Sequence, residues 1–224
     1  MAKIKAGIIV FPGSNCDRDA GFALEKIGFD YEYIWHDFDK MLNYDFIFLP
    51  GGFSYGDYLR AGALAKFSPV MKYLEKYIEE EKGLVLGVCN GFQVLTEAGI
   101  LKGALTQNEQ MKFICDDIDI KVKNNSSPFT KYIEKEQLNI PIAHMDGNFR
   151  VSEEDYKELS KNDQIIFEYS DNPNGSYKNV AGIMNVKKNV LGMMPHPERN
   201  VVKLLGNGDG ALILLSIRRF LENE

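Results

Sequence analysis

The first half of the chain alternates short apolar runs with segments in which apolar residues recur at helical spacing. Four apolar runs predict strands, at residues 4–11, 31–36, 46–49 and 84–88. Three segments predict helices: one capped by Ser14 or Asn15 and closed by Gly28, one from Ser68-Pro69 to Gly83, and one from Asn90 to Ala98. Strands that alternate with helices in this way indicate a parallel sheet covered on both faces.

The second half of the chain has a different pattern. Between residues 114 and 122 the apolar residues Ile114, Ile118, Ile120 and Val122 all occupy even-numbered positions and therefore share one face. This pattern predicts a half-buried, antiparallel strand. The remaining predicted elements are strands at 138–143, 164–169, 180–186 and 190–193, a short helix at 128–133, a capping box at Ser152–Asp155, and a helix from about Ala211 to Leu221. No linker or repeat divides the chain. We therefore predict a single α/β domain over residues 1–224, with an open, mostly parallel central sheet flanked by helices and a small antiparallel strand addition.

Composition narrows the class of protein. Apolar residues make up 45% of the chain and charged residues 26%, which is ordinary for a globular protein. A net charge of −6 without a basic stripe argues against nucleic-acid binding, and no uninterrupted run of about 18 apolar residues predicts a membrane span. The three cysteines, Cys16, Cys89 and Cys115, are too few and too scattered for a disulfide framework or a zinc site. We expect a cytoplasmic protein without a bound metal.

The most specific chemical signal is the segment from Leu84 to Gln93. Its strand ends at Cys89, which lies between Gly87 and Gly91. This G-x-C-x-G pattern is the cysteine counterpart of the nucleophile elbow, a sharp strand-to-helix turn in which bulk at either glycine would clash. A cysteine there also sits at a helix N-terminus, which favours the thiolate over the thiol. Cys89 is therefore the candidate nucleophile. Cys16 and Cys115 lack the glycine frame, and we predict structural roles for them.

A cysteine nucleophile needs a base, and His196 is the best candidate. Pro195 and Pro197 favour extended backbone around it, so that Glu198, two residues on, projects to the same side. Cys89, His196 and Glu198 then supply nucleophile, base and orienting carboxylate. Along this chain the order is nucleophile, histidine, acid, whereas in α/β-hydrolases it is nucleophile, acid, histidine. This difference disfavours the α/β-hydrolase class. We predict a structural role for His36 and leave the role of His144 open.

The turn Pro50-Gly51-Gly52-Phe53-Ser54 follows the strand at 46–49. In an open α/β sheet the carboxyl end of a strand is where ligands bind. The N–H of Gly52 and the N–H of Asn90, which follows the nucleophile, are therefore predicted to form a two-donor oxyanion hole.

These motifs together resemble the class I, triad-type glutamine amidotransferases: Gly87 to Gln93, Pro50-Gly51-Gly52 and His196-Pro197-Glu198. Three further segments, at 13–19, 51–63 and 141–144, are similar to the glutaminase subunits of phosphoribosylformylglycinamidine synthases. The similarity extends from Lys3 to about Phe220. One departure lies after His144, where relatives usually carry a small residue and Glu but this chain has Met145 and Asp146.

The resemblance implies a complete reaction. Cys89 would attack the carboxamide of glutamine, ammonia would leave, and the glutamyl thioester would be hydrolysed to glutamate. His196 would shuttle the protons and Glu198 would orient it. Gln93 and Phe53 would help to bind the substrate.

The resemblance also implies partners. A large synthase subunit would receive the ammonia through a channel and use ATP and Mg²⁺ to aminate formylglycinamide ribonucleotide, and a third, small subunit would bridge the two. The segment from Ser54 to Arg60 would face the synthase subunit, and an ordinary polar loop is the alternative interpretation. This chain itself has no phosphate-loop motif, so we expect no cofactor in it.

Two other readings remain open from the sequence. A stand-alone cysteine peptidase of similar α/β design would cleave peptides without partners, although nothing in the chain suggests an extended peptide groove. A non-catalytic binding subunit could retain the fold, although the intact set of Cys89, His196 and Glu198 argues against that.

Overall fold

The computed structural model describes residues 4–204 and 206–223, and the described residues form eleven strands and five α-helices. The strands are β1 (Lys5–Val10), β2 (Asp30–Trp35), β3 (Phe46–Leu49), β4 (Leu84–Val88), β5 (Ala104–Thr106), β6 (Ile114–Val122), β7 (Gln137–His144), β8 (Asn148–Arg150), β9 (Ile165–Tyr169), β10 (Val180–Met184) and β11 (Val190–Met193). The helices are α1 (Asp17–Ile27), α2 (Pro69–Glu79), α3 (Asn90–Glu97), α4 (Glu153–Lys161) and α5 (Asp209–Glu222). None of these helices is long and apolar enough to cross a membrane.

Nine strands form one sheet in the order β2-β1-β3-β4-β11-β10-β9-β6-β7. The first five run parallel, whereas β10, β9, β6 and β7 extend the sheet through antiparallel pairs. Strands β5 and β8 form a separate antiparallel pair. The predicted α/β class is confirmed, with an antiparallel part that includes four strands of the main sheet.

The core explains why the parallel half forms. Every residue of β3 and β4 is buried, as parallel strands covered on both faces require. Strand β2 lies on one side of β1, and β3 and β4 lie on the other. Right-handed connections in opposite directions therefore place α1 and α2 on opposite faces of the sheet. The carboxyl ends of β1, β3, β4 and β11 meet at one edge, and this edge carries the candidate site.

Most predicted elements are confirmed, and three strands, at 46–49, 84–88 and 190–193, match residue for residue. Ser152 caps helix α4, because its hydroxyl accepts the N–H of Asp155 at 3.0 Å, and the hydroxyl also donates to the Asp155 carboxylate at 2.7 Å. The predicted small antiparallel addition is confirmed by the β5–β8 pair, although strands of three residues carry too little periodicity to be located from the sequence.

Three local predictions were wrong. Residues 128–132 form turns instead of the predicted helix at 128–133, and the Thr130 hydroxyl there donates to the carbonyl of Asn124, a side-chain bond that competes with helical pairing. Helix α1 begins after Cys16, and the Ser14 hydroxyl instead accepts the N–H of Phe11. Helix α2 ends at Glu79, well before Gly83.

Candidate active site

Cys89 occupies a strained turn between β4 and α3. Its backbone angles are φ 49° and ψ −104°, a region that residues with side chains rarely adopt. A side chain at Gly91 would overlap the carbonyl oxygen of Leu49, and one at Gly87 would strike Leu95 and the backbone of Gly91. The predicted elbow is therefore present, and its two glycines are required by the close packing of β3, β4 and α3.

His196 lies at the end of β11, where a short 3₁₀ turn, Pro197–Arg199, begins. The ring is 1% exposed, and its Nδ1 lies 2.7 Å from Oε1 of Glu198. Its Nε2 has no hydrogen-bond partner among the described residues. The main-chain N–H of His196 donates to the carbonyl of Pro141 at 2.8 Å, which fixes the loop against β7. Glu198 thus orients the ring and leaves Nε2 free for chemistry.

The environment of His196 favours its protonated form. Burial lowers its pKa, but the Glu198 carboxylate and the sulfur atoms of Cys89 and Cys16 outweigh burial and hold the pKa well above its ordinary value. The structure thus brings together the three predicted residues Cys89, His196 and Glu198 in one buried group.

A cavity of about 260 Å³ opens beside Cys89. Its wall includes six residues on which the site depends: Gly52, Phe53, Cys89, Gln93, His144 and His196. The thiol of Cys89 is 5% exposed and lies 3.8 Å from the carbonyl of Ala143. The nucleophile is therefore sheltered from bulk water but accessible to a small ligand.

One predicted oxyanion donor, Gly52, lines this cavity, and the other, Asn90, directly follows Cys89 in the chain. Gly52 has φ 145°, and its N–H has no acceptor among the described residues. Asn90 is the first residue of α3, so its N–H has no acceptor within the helix. Gly51 packs against the base, because a side chain there would approach Cε1 of His196 to 2.7 Å. The Pro-Gly-Gly turn therefore packs directly against the imidazole, and only glycine fits at position 51 without displacing the ring.

The two predicted substrate-binding residues differ in exposure. Phe53 is 46% exposed at the wall of the cavity, whereas Gln93 is 5% exposed. The Gln93 amide donates to the carbonyl of Asp146 at 2.7 Å and accepts from Nδ2 of Asn90 at 2.9 Å. Both polar atoms of the amide thus have hydrogen-bond partners within the protein. Direct contact of Gln93 with a substrate stays a prediction.

Cys16 was assigned a structural role on a helix face, and the structure corrects this placement. Its sulfur lines the cavity and accepts a hydrogen bond from Nη2 of Arg199 at 3.1 Å. Ligand atoms of Cys16, His196 and Glu198 lie within 4.8 Å of one another. This is the one group among the described residues that could hold a metal, although the neighbouring guanidinium opposes a cation. No local sequence signal could have found Cys16, because Arg199 approaches it only in the folded chain.

His144 holds the loop that closes the cavity. It is 3% exposed, with Nδ1 at 3.1 Å from Oδ1 of Asn108 and Nε2 at 3.5 Å from Nδ2 of Asn174. Burial and then the charge of His196 lower its pKa to about 4. A side chain at Gly147 would overlap the His144 ring. His144 is thus a neutral, structural imidazole inside the site.

Asp57 and Asp146 also line the cavity and were not identified from the sequence as site residues. Burial, and then the charge of Asp146, raise the pKa of Asp57 to about 6. Burial likewise raises the pKa of Asp146. No sequence spacing could have paired them, because they lie on loops that follow different strands.

The geometry is that of an acyl-transfer site. A buried thiol, an imidazole oriented by a carboxylate, and the unpaired N–H of Gly52 lie around one small cavity, and the unpaired N–H of Asn90 adjoins the thiol. These are the parts needed to form and resolve a thioester.

Comparison with known proteins places this site in a family. The family of CobB/CobQ-like glutamine amidotransferase domains matches residues 3–207. The structure of PurLQS from Thermotoga maritima aligns with a TM-score of 0.91 at 45% identity, covering 98% of this chain and 100% of that chain.

Two more distant structures share the fold. A putative GMP synthase subunit from Thermoplasma acidophilum aligns with a TM-score of 0.67 at 15% identity, covering 100% of this chain and 96% of the other. A glutamine amidotransferase from Thermotoga maritima aligns with a TM-score of 0.62 at 16% identity, covering 99% and 100%. The family match and the 45% identity over nearly the whole chain show that this chain belongs to the CobB/CobQ-like glutamine amidotransferases.

Proposed function

We propose that the chain is the glutaminase subunit of phosphoribosylformylglycinamidine synthase, in which it hydrolyses glutamine and supplies ammonia for de novo purine biosynthesis. The family membership and the similarity to PurLQS support this function. The observation that carries the chemistry is the position of Cys89 beside His196, whose Nδ1 is held by Glu198 and whose Nε2 is free. A stand-alone peptidase is disfavoured, because the matched family transfers the amide nitrogen of glutamine.

The first half-reaction forms a thioester. The Cys89 thiolate attacks the carboxamide carbon of glutamine, a C–S bond forms, and the carbonyl oxygen becomes negative between the N–H groups of Gly52 and Asn90. Each such donor lowers the barrier by about 3 kcal/mol. His196 then gives its Nε2 proton to the departing nitrogen, the C–N bond breaks, and ammonia leaves.

The second half-reaction releases glutamate. Water attacks the thioester carbon, and Nε2 of His196 accepts a proton from the water. The C–S bond breaks, glutamate leaves, and Cys89 returns to the thiolate beside a protonated His196. Glu198 stabilises that protonated ring in both halves, in accord with the raised pKa of His196.

The similarity to PurLQS supports an assembly with other subunits of that kind. We assign these partners as a large synthase subunit, which uses ATP and Mg²⁺ and receives the ammonia, and a small bridging subunit. The chain itself performs its step without a cofactor. We also place the complex in the cytoplasm, where free thiols such as Cys89 persist.

The deciding experiment compares glutamine and ammonium as nitrogen donors in the reconstituted synthase. Because only the glutamine route needs the thiol, Cys89→Ala is expected to lower glutamine-dependent synthesis by at least about 10³-fold. Ammonium-dependent synthesis should persist in the same preparation. It serves as the internal measure of correct assembly.

A matched thiol variant completes the design. Cys115 is exposed on β6 and lines the same cavity but lies outside the elbow, so Cys115→Ala should retain most of the glutamine-dependent synthesis. Normal use of glutamine by Cys89→Ala would remove Cys89 from the mechanism. Failure of the wild-type complex to use glutamine at all would refute the proposed function.

A further inference from the structure

The cavity beside Cys89 contains two carboxylates that the thioester chemistry does not use. Neither Asp57 nor Asp146 forms an ion pair with another described residue. Oδ1 of Asp146 is buried without a hydrogen-bond partner. Asp57 accepts one long hydrogen bond, of 3.4 Å, from Nδ2 of Asn90. The cavity thus holds negative charge that the protein leaves uncompensated.

A continuous set of hydrogen bonds places the two carboxylates on neighbouring walls. Nδ2 of Asn90 donates to Asp57 and, at 2.9 Å, to Oε1 of Gln93. Nε2 of Gln93 in turn donates to the main-chain carbonyl of Asp146 at 2.7 Å. Two buried amide side chains therefore connect the loops that carry the acids, and both acids are fixed relative to Cys89, which directly precedes Asn90.

The cations of the cavity are already engaged. Arg199 lies 3.3 Å from the carboxylate of Asp19 and donates to the sulfur of Cys16. His196 is bonded to Glu198 at 2.7 Å. The pKa of Asp57 is raised to about 6 by burial and by the charge of Asp146, which is the behaviour of acids that lack a cationic partner.

The cavity also offers a free polar atom. Nε2 of His196 is buried and has no partner among the described residues, and His196 lines the cavity. A ligand that fits this cavity of about 260 Å³ must be small. To pair with the groups that lack partners, it needs a hydrogen-bonding group for Nε2 of His196 and a positive charge for the two carboxylates. Glutamine has these features, since two methylene groups separate its carboxamide from the carbon that carries its α-ammonium group.

We propose, on the basis of the glutaminase function above, that Asp57 and Asp146 bind the α-ammonium group of glutamine. The ammonium compensates both charges and gives Oδ1 of Asp146 its missing donor. The carboxamide then lies at Cys89, between the two N–H donors. Gln93 acts as a positioning residue that holds Asn90 and the Asp146 loop in place.

The test uses glutaramic acid, which is glutamine without its α-amino group. In the reconstituted complex, hydrolysis of glutamine and of glutaramic acid is measured as kcat/KM for the wild type, Asp57→Asn and Asp146→Asn. The wild type should prefer glutamine strongly. Each amide variant should lower that preference by about 10- to 100-fold, because the loss of one charge-assisted contact affects only the substrate that carries the ammonium.

Two further variants separate binding from structure. Asp146→Glu keeps the charge and should keep most of the preference. Asp39→Asn makes the same chemical change on an exposed loop outside the cavity and should leave both substrates unaffected. A variant that merely loosened the fold would lose activity on both substrates equally.

Three results would overturn the assignment: equal use of both substrates by the wild type, an unchanged preference in both amide variants, or an equal loss on both substrates. Equal use of both substrates by the wild type overturns the assignment even if the variants fail to fold. Active hydrolysis of glutamine with no such preference would leave the proposed function standing and remove only this role of the acids.

Discussion

At the scale of single residues, two histidines in one cavity are held in different protonation states, one charged and one neutral. Glu198 and the two nearby sulfur atoms outweigh burial at His196 and raise its pKa well above the ordinary value. Burial and the charge of His196 lower the pKa of His144 to about 4. The proton therefore resides on the ring that faces Cys89, and the neighbouring ring serves only to hold its loop.

The lowered pKa of His144 makes a prediction about stability. The unfolded residue titrates near 6.5 and the folded one at about 4, so the unfolded chain binds more protons between these values. The contribution of His144 is fully present above pH 6.5 and is lost as the pH falls towards 4. The difference between the two pKa values corresponds to about 3 kcal/mol of unfolding free energy.

Urea denaturation at a series of pH values measures this effect. His144→Gln should show a shallower loss of unfolding free energy from pH 6.5 to 4 than the wild type, because glutamine does not titrate. Other acids titrate in both proteins and cancel in the comparison. Parallel pH curves for the two proteins would contradict the neutral, buried state of His144.

At the scale of elements, the elbow depends on the contact of α3 with β3. A side chain at Gly91 would overlap the backbone of Leu49 and push α3 away from the sheet. Gly91→Ala should therefore lower the unfolding free energy by about 1–3 kcal/mol and also lower glutaminase activity, since Cys89 moves with α3.

Gly99→Ala is the matched control. Gly99 follows α3 with φ 73° and has open space around it, so alanine there meets only backbone strain of about 1 kcal/mol. Thermal melts and glutaminase assays on both variants separate the two effects. Full activity in Gly91→Ala would show that the elbow tolerates displacement.

The elements that could be predicted from sequence are those whose signal is local. Gly87, Cys89 and Gly91 lie within one turn, and His196 and Glu198 lie two residues apart, so both halves of the reactive group were recognisable. Cys16, Asp57 and Asp146 could not be recognised, because they reach the cavity only through contacts between segments far apart in the chain. Their roles depend on tertiary approach and not on spacing.

At the scale of the whole molecule, residues that follow the parallel strands β3, β4 and β11 line the cavity together with residues of the antiparallel strands β6 and β7. The nucleophile follows β4, whereas His144 ends antiparallel β7 and Asp146 follows it. Strand β11 forms the boundary, since it pairs parallel with β4 and antiparallel with β10. The parallel half supplies the reacting groups and the antiparallel half supplies the opposite wall.

Exposed apolar side chains near this cavity are the candidate surface for the proposed synthase partner. Tyr58 and Leu59 are 72% and 78% exposed, on the segment next to Asp57. Leu59→Ser should weaken association with the large synthase subunit, because it removes apolar area that the partner would bury. The unfolding free energy should change by less than about 0.5 kcal/mol, as for other surface positions.

Val186→Ser is the control for this surface. Val186 is 65% exposed and lies between β10 and β11, at the opposite edge of the sheet. Calorimetric titration of each variant with the large subunit should show weaker binding for Leu59→Ser alone. Wild-type affinity in Leu59→Ser would place the interface elsewhere.

The position of β11 at this boundary has a consequence for the newly made chain. During synthesis the thiol of Cys89 leaves the ribosome long before His196, which lies far later in the sequence. Strand β11 must then insert beside β4 before the imidazole reaches the thiol. A growing chain therefore cannot hydrolyse glutamine. We expect ammonia production to begin only after β11 has paired with β4.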